Sequence, residues 1–151
     1  MSQTGTLIAV CISEKKGQQK HPVDSVHLLP NHGIDGDAHA GKWYRQVSLL
    51  SQASVDRLQE KISTLLFPGA FAENILCDGL TLCELPVGTH LRIGSAICEI
   101  TQIGKECHAD CAIRQQAGDC VMPREGIFVK VLEEGFARPG DTISILNGAD
   151  E

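Results

Sequence analysis

Short apolar runs separated by glycines fill the second half of this sequence. The runs lie at residues 80–85, 89–93, 96–103, 127–132 and 141–146, with glycines at 79, 88, 94, 104, 126, 135 and 140. Runs of this length between turn-forming glycines are typical of β-strands. Many short strands with glycine and proline turns, together with a single helix, argue against a βαβ sheet. The sequence therefore predicts a mainly β fold, with a barrel or a sandwich as its architecture.

The first half adds three predicted strands and one convincing helix. The strands are predicted at Thr6–Ser13, Ser25–Leu29 and Val47–Leu50. The helix is predicted over residues 51–66, where apolar side chains recur at helical spacing and charged side chains face the other way. Ser51 or Ser54 is its candidate N-cap, and Pro68–Gly69 ends it. The apolar stripe of this helix consists of Val55, Leu58, Ile62, Leu65 and Leu66.

Length and composition indicate one folded domain. A chain of 151 residues suits a single core, and its 42% hydrophobic and 21% charged residues are ordinary for a globular protein. We expect a single domain over residues 1–151, with a core at about 5–146 and a frayed tail at 147–151. The apolar run Leu7–Ile12 is far shorter than the roughly 20 residues that a membrane-spanning helix needs, so no membrane association is expected.

Charge and cysteine content restrict the partners and the compartment. Thirteen basic against nineteen acidic residues give a net charge of −6, which disfavours binding to nucleic acid. The first residues have neither the positive charge nor the apolar length of a signal peptide. Seven cysteines cannot all pair within the chain. We therefore expect a cytoplasmic protein whose thiols are mostly free.

The stretch from Ile34 to Arg45 has no regular period and is predicted to be a long loop. Long loops in compact domains are often functional. Asp37 and His39 are its chemically versatile side chains, suited to orienting a ligand, binding a metal or exchanging protons. The alternative is a structural loop whose aspartates close Asx turns. The sequence alone supports both interpretations equally.

A second polar segment, from Gly104 to Cys120, concentrates three cysteines. One interpretation is a zinc site, although the cysteines lack the paired spacing of structural zinc sites. A second is a nucleophilic or sulfur-carrying thiolate, since basic neighbours lower the pKa of a thiol. A third, buried thiols that pack as small hydrophobes, suits Cys11 and Cys98 better than Cys107. The zinc ligands would be Cys107, Cys111 and Cys120 with His108 or His39, and the basic neighbours are Lys105, His108, Arg114 and Arg124.

Further polar residues are candidates for ligand binding. Glu73 and Asn74 precede a predicted strand, where they either line a pocket or bond the backbone of a turn, the turn being favoured. Guanidinium groups match the oxygens of anions, so an arginine near these segments suits an anionic ligand such as an oxyanion. The candidate arginines are Arg45, Arg114 and Arg124, with solvation at the surface as the alternative for each.

Five segments together resemble the MOSC family, the domain found at the C-terminus of molybdenum cofactor sulfurases. They occur in the family's order and cover about residues 5–146, so five matches are distinctive where one would not be. The sequence is most similar to the small, stand-alone bacterial members. The five segments are Gly33–Gly41, Arg45–Leu50, Phe71–Ile75, Leu91–Gly94 and Gly104–His108.

The resemblance implies a β-barrel and a role in sulfur and molybdenum chemistry. Family members are proposed to carry sulfane sulfur on a cysteine, and in amidoxime-reducing relatives a cysteine of this domain binds molybdenum. That cysteine corresponds to Cys107, the implied persulfide carrier and candidate molybdenum ligand. The implied cofactor is the molybdenum cofactor, while pyridoxal phosphate binding belongs to the family at large. The implied partners are molybdenum cofactor biosynthesis proteins, molybdoenzymes and a sulfur-donor protein.

The sequence departs from the larger members around this cysteine, because Glu106 stands where they often have proline, and Cys111 and Cys120 are additional. We expect Cys107 to be the most reactive thiol, with Cys111 or Cys120 resolving its persulfide. Asp37, His39, Arg45 and Glu73 are expected to converge with it on one pocket. The alternatives are a noncatalytic module that binds molybdenum cofactor or another anion, and a zinc-stabilised structural protein.

Overall fold

The computed structural model describes residues 4–15, 19–43, 45–61, 63, 66–104 and 126–146, and their fold is mainly β as predicted. One α-helix, α1 (Gln52–Gln59), and one 3₁₀ turn (Leu82–Glu84) accompany the strands. Neither of these two helical segments has the length and apolar character needed to cross a membrane. The strands are β1 (Thr4–Ile12), β2 (His21–Val23), β3 (Val26–Leu29), β4 (Gly33–Ile34), β5 (Val47–Ser51), β6 (Ile75–Asp78), β7 (His90–Ile93), β8 (Ala96–Ile103), β9 (Ile127–Glu133), β10 (Gly135–Ala137) and β11 (Thr142–Leu146).

Seven of these strands form a closed barrel in the order β11–β7–β8–β9–β5–β6–β1, in which β1 pairs back with β11. Neighbouring strands are antiparallel except β5 and β6, which run parallel. Parallel strands need a crossover connection, and the stretch from β5 to β6 that includes α1 provides it. β2 extends the sheet beyond β1, and β10, β3 and β4 form a separate three-stranded sheet.

Two apolar layers lie on either side of the barrel wall. On β5, Val47 and Leu49 belong to the interior core, whereas Leu50 packs outside with Val55 and Leu58 of α1. Side chains alternate between the two faces of a strand, so a strand covered on both faces is buried along its whole length. All five residues of β5 are buried, and its two serines, Ser48 and Ser51, are both hydrogen-bonded.

The helix is confirmed but is shorter than the predicted 51–66, because it ends at Gln59. Lys61 already donates its backbone N–H to the Leu58 carbonyl in a tighter turn. The Gln59 side chain then accepts the backbone N–H of Leu66, seven residues further along the chain. Ser51 occupies the N-cap position but makes no capping bond, since its hydroxyl donates to the Leu80 carbonyl.

The strand predicted at residues 80–85 is wrong. The backbone there forms a 3₁₀ turn, in which the N–H groups of Glu84 and Leu85 bond carbonyls three residues earlier. Leu80 and Leu82 are apolar because they are buried in the interior core. The bonds that Ser51 Oγ makes to Leu80 and Leu82 hold this segment against β5 rather than in a strand ladder.

Candidate functional site

A buried lysine lies where the neighbouring strands β5, β6, β1 and β2 share one end. Lys20 immediately precedes β2, and its side chain is 1% exposed. Its Nζ donates to Ser13 Oγ at 3.0 Å, to Asp37 Oδ1 at 2.7 Å and to His39 Nδ1 at 3.0 Å. Ser13 follows β1, and Asp37 and His39 lie in the irregular segment after β4. The lysine therefore fastens the predicted functional loop to the barrel.

Asp37 is a buried carboxylate whose two oxygens are both bonded. Oδ1 also accepts the backbone N–H of Ser13, and Oδ2 accepts the backbone N–H of His39. Burial by itself would raise the pKa of Asp37. The bonds from Lys20, Ser13 and Asn74, together with the charge of Lys20, outweigh burial and hold that pKa below its usual value. Asp37 therefore stays ionised and closes the Asx turn that the sequence offered as the structural alternative.

The same contacts argue against a metal ion between Asp37 and His39. A cation at Asp37 Oδ1 and His39 Nδ1 would lie beside the ammonium of Lys20, which already uses both acceptors. Like charges this close in a buried site repel strongly. Among the residues that the structure describes, no group of three or more histidine, cysteine, aspartate or glutamate side chains is arranged to hold a metal.

Asn74 joins two strands of the barrel at the start of β6. Its Nδ2 donates to the Cys11 carbonyl at 3.1 Å, and its Oδ1 accepts the backbone N–H of Ser48 at 3.0 Å. Its backbone N–H donates to Ser48 Oγ. Asn74 thus links β1 to β5 across β6. Its side chain also forms a hydrogen bond with Asp37. Asn74 therefore connects the barrel wall to the Lys20 cluster, which consists of Lys20, Ser13, Asp37 and His39.

Glu73 holds the loop that precedes β6. Its carboxylate accepts the backbone N–H groups of Gly69 at 2.8 Å and Phe71 at 3.1 Å. Burial raises the pKa of Glu73, although these bonds and the charge of Lys20 act in the opposite direction. Gly69 has φ of +93°, and a Cβ there would lie 2.1 Å from the Lys20 carbonyl oxygen. Glycine is required at this position, where the loop packs against the Lys20 backbone.

Arg45 lies further along the sheet, beside Phe128 of the outer apolar layer. Its Nε donates to Gln102 Oε1 at 3.1 Å, and its guanidinium carbon lies 5.4 Å from the centre of the Phe128 ring. Gln102 also donates to the Gly104 carbonyl at 2.7 Å. Phe128 on β9 pairs with Ser48 on β5, and Ser48 is hydrogen-bonded to Asn74. Arg45 and the residues around Lys20 therefore contact opposite ends of one row of residues across the sheet.

The described cysteines are free thiols, and three of them are fully buried. Burial raises the pKa of Cys11, Cys77 and Cys98 to about 12 in each case, with smaller contributions from Glu73 at Cys11 and Asp78 at Cys77. The prediction that Cys11 and Cys98 are structural is thereby confirmed. Cys83 is half-buried in the 3₁₀ turn. The remaining predicted site residues, Lys105, Cys107, His108, Cys111, Arg114, Cys120 and Arg124, lie outside the described residues.

A model of the MOSC domain family matches residues 35–144, which is most of the chain. The protein belongs to the MOSC family. The matched span includes Asp37, His39, Arg45, Glu73 and Asn74 of the site described above. Membership supports the molybdenum-cofactor-related role that the sequence resemblance implies.

Solved structures similar to this MOSC protein have the same fold. The YuaD protein from Bacillus subtilis superposes with a TM-score of 0.77 at 18% identity, covering 94% of this chain and 95% of that protein. YiiM from Geobacillus stearothermophilus superposes with a TM-score of 0.70 at 16% identity, covering 95% and 75% respectively. The YflK protein of Bacillus subtilis (strain 168) is 25% identical over an alignment of 145 residues, which covers 89% of this chain. The chain spans 65% of the length of YflK.

The structure brings four predicted residues of this MOSC domain together around Lys20: Asp37, His39, Glu73 and Asn74. Lys20 and Ser13 themselves have no counterpart in the sequence predictions, and both precede the span matched by the family model. Lysine is among the residue types least often buried, so a lysine in a polar run is assigned to solvent. The contacts that bury Lys20 come from residues 7, 17 and 19 positions away and from Gly69, none of which forms a local motif.

Proposed function

We propose that this MOSC protein is a sulfur carrier, which takes a sulfane sulfur on Cys107 and delivers it to a molybdenum-cofactor-related acceptor. The observation that supports it most directly is the bonded chain from Arg45 through Gln102 to the Gly104 carbonyl. This chain sets a guanidinium beside the point where the segment that carries Cys107 begins. A cation at that point suits both a thiolate and an anionic ligand.

The covalent chain keeps Cys107 close to this point. Gly104 donates its backbone N–H to the Gly126 carbonyl at 2.6 Å, so both ends of the intervening segment meet at the end of the β8–β9 pair. Cys107 lies three positions after Gly104, and an extended chain spans at most about 11 Å over that length. This short separation in sequence supports the proposal that Arg45 acts on the Cys107 thiol.

The other cysteines support this choice by their surroundings. A sulfur carrier needs a thiolate that both donor and acceptor can approach. Cys11, Cys77 and Cys98 are 0% exposed, and burial raises the pKa of each thiol to about 12. Lys105 and His108 lie close to Cys107 in sequence and favour its thiolate. The charged residue adjacent to Cys83 is Glu84, which disfavours a thiolate.

The transfer is balanced without an external oxidant. The Cys107 thiolate attacks the outer sulfur of a donor persulfide; a new S–S bond forms, the donor S–S bond breaks, and the donor leaves as its thiolate. An acceptor nucleophile then takes the terminal sulfur, and the Cys107 thiolate leaves. If Cys111 or Cys120 attacks Cys107 Sγ instead, hydrosulfide leaves and a disulfide forms, which an external thiol reduces.

Arg45 is the side chain proposed to bind the anionic group of the acceptor. Its guanidinium is half-buried, stacked near Phe128 and oriented by Gln102, which suits the oxygens of a pterin phosphate. Lys20 is unsuited to that contact because its three N–H groups already have acceptors. Lys105, Arg114 and Arg124 remain proposed contributors.

Mass spectrometry of the intact protein tests the sulfur-carrier proposal. After incubation of the reductant-free protein with glutathione persulfide, we expect an increase of about 32 Da that dithiothreitol removes. The Cys107→Ser variant should lose the adduct, whereas the matched Cys83→Ser variant should keep it. An adduct that persists in Cys107→Ser and maps to another cysteine contradicts the proposal.

The same preparations distinguish the alternatives. Molybdenum cofactor binding that survives in Cys107→Ser, in a protein that never forms the adduct, indicates a noncatalytic binding module. Stoichiometric zinc whose removal unfolds the protein indicates a zinc-stabilised structural protein. Phosphate binding that is weakened by Arg45→Met but not by the exposed control Arg92→Met supports the assignment of Arg45.

A further inference from the structure

The hydrogen bonds of Lys20 restrict the chemical form of His39. An ammonium group has three N–H donors and no lone pair, so each partner must accept a proton. Its three partners are Ser13 Oγ, Asp37 Oδ1 and His39 Nδ1, at 3.0, 2.7 and 3.0 Å. Nδ1 of His39 must therefore carry a lone pair, and the ring proton must be on Nε2.

The surrounding charges favour the same neutral form. An imidazolium would place a second cation 3.0 Å from Nζ of Lys20, in a place where the lysine side chain is 1% exposed. Two carboxylates are also close: Asp37, which accepts the backbone N–H of His39, and Glu73, whose charge acts on Lys20. Asp37 is already paired with Lys20 at 2.7 Å, and Glu73 is bonded to backbone N–H groups. Within the contacts given above, the charged group bonded to the ring nitrogen Nδ1 is the ammonium of Lys20.

We propose that Lys20 is a positioning residue of the MOSC site, which holds His39 as the neutral tautomer with its proton on Nε2. His39 then acts as an uncharged hydrogen-bond donor and does not serve as a general acid at neutral pH. The importance of this form for ligand binding rests on the proposed function, whereas the form itself is a property of the free protein. Trp43 donates its indole N–H to the His39 carbonyl. The backbone of His39 is thus held by Trp43, while its ring is held by Lys20.

Nuclear magnetic resonance of the free protein tests the inference. Histidines are labelled with ¹⁵N, and the ring signals of His39 are identified by their loss in His39→Gln. We expect the wild-type ring to remain neutral, with Nδ1 unprotonated, at about pH 6, where an ordinary histidine with a pKa of about 6.5 is mostly protonated. A ring that is half or more protonated at that pH, or that has its proton on Nδ1, overturns the inference.

Two variants separate charge from packing. Lys20→Met removes the ammonium and leaves the Asp37 carboxylate beside the ring, so His39 should become mostly protonated at about pH 6. Lys20→Arg keeps the charge and should keep the ring neutral. A purely structural role for Lys20 would disturb the loop without this difference between Met and Arg. If Lys20→Met does not fold, the wild-type titration still decides the question.

The outcome is independent of sulfur transfer. A neutral His39 in a protein that forms no Cys107 adduct would leave this inference standing and contradict the proposed function. A protonated His39 in a protein that does form the adduct would do the opposite.

Discussion

The Nζ atom of Lys20 lies 2.7 Å from Oδ1 of Asp37, and both side chains are almost completely withdrawn from water. This ion pair joins the residue before β2 to the loop after β4, so the loop is held by one buried contact between charges. Removing one partner of such a pair leaves the other charge buried and unpaired, which costs far more than the loss of an exposed ion pair.

Replacement of Lys20 by methionine should lower the free energy of unfolding by about 3–5 kcal/mol. The methionine fills similar space but leaves Asp37 without its counter-charge. The exposed control Lys15→Met should change stability by less than about 0.5 kcal/mol. Urea denaturation followed by the fluorescence of Trp43, the single tryptophan, measures both.

A double-mutant cycle then isolates the pair itself. Asp37→Asn alone should also destabilise, whereas Lys20→Met combined with Asp37→Asn should cost clearly less than the sum of the two single changes. Strict additivity would mean that the two side chains do not interact energetically.

The acid dependence of stability should be sensitive to Asp37. Its pKa is lower in the folded protein than the usual aspartate value of 3.8, so the folded state binds its proton less readily than the unfolded state. The contribution of Asp37 is therefore fully present above about pH 4 and is lost as the pH falls through the folded pKa. The difference in unfolding free energy between wild type and Asp37→Asn should shrink between pH 4 and pH 2, while the exposed control Asp24→Asn should show no such trend.

The sequence predicts the strands of the barrel wall better than it predicts the residues of the candidate site. The observed bounds of β8 are the predicted residues 96–103, because its largely apolar run lies between the glycines at 94 and 104, which end a strand on either side. The end of α1 is missed because the apolar pattern continues past Gln59, whose side chain instead accepts the backbone N–H of Leu66.

The candidate site is predicted only in part for the same reason. Asp37 and His39 are conspicuous because they lie in an irregular, glycine-containing segment between apolar strands. Lys20 is not, since its burial depends on Gly69, whose backbone approaches the Lys20 carbonyl across 49 positions of sequence. Such an approach leaves no signal in the residues adjacent to the lysine. The sequence pattern predicts only that Gly69 ends the helix.

Substitution of Gly69 by alanine should be more harmful than the same change at Gly88. Both glycines have φ near +95°, so the conformational strain of alanine is similar, at about 1–2 kcal/mol. At Gly69 a Cβ would also lie 2.1 Å from the Lys20 carbonyl oxygen, whereas at Gly88 nothing lies within 4 Å. We expect Gly69→Ala to cost at least about 2 kcal/mol more than Gly88→Ala, as for other overpacked sites. Equal losses in urea denaturation would show that the close approach is relieved without cost.

Limited alkylation should rank the seven thiols by access and by pKa. Cys11, Cys77 and Cys98 are fully buried with thiol pKa values raised to about 12, so iodoacetamide should leave them unmodified in the native protein at pH 7. Cys107 should be modified first, because Lys105 and His108 flank it and offset the charge of Glu106. Peptide mapping after brief labelling identifies the order, and denaturation in urea before labelling should make all seven equally reactive. Earlier modification of Cys111 or Cys120, with Cys107 protected, would move the sulfur-carrying role to that residue, and labelling of Cys98 in the folded state would contradict the burial on which the ranking depends.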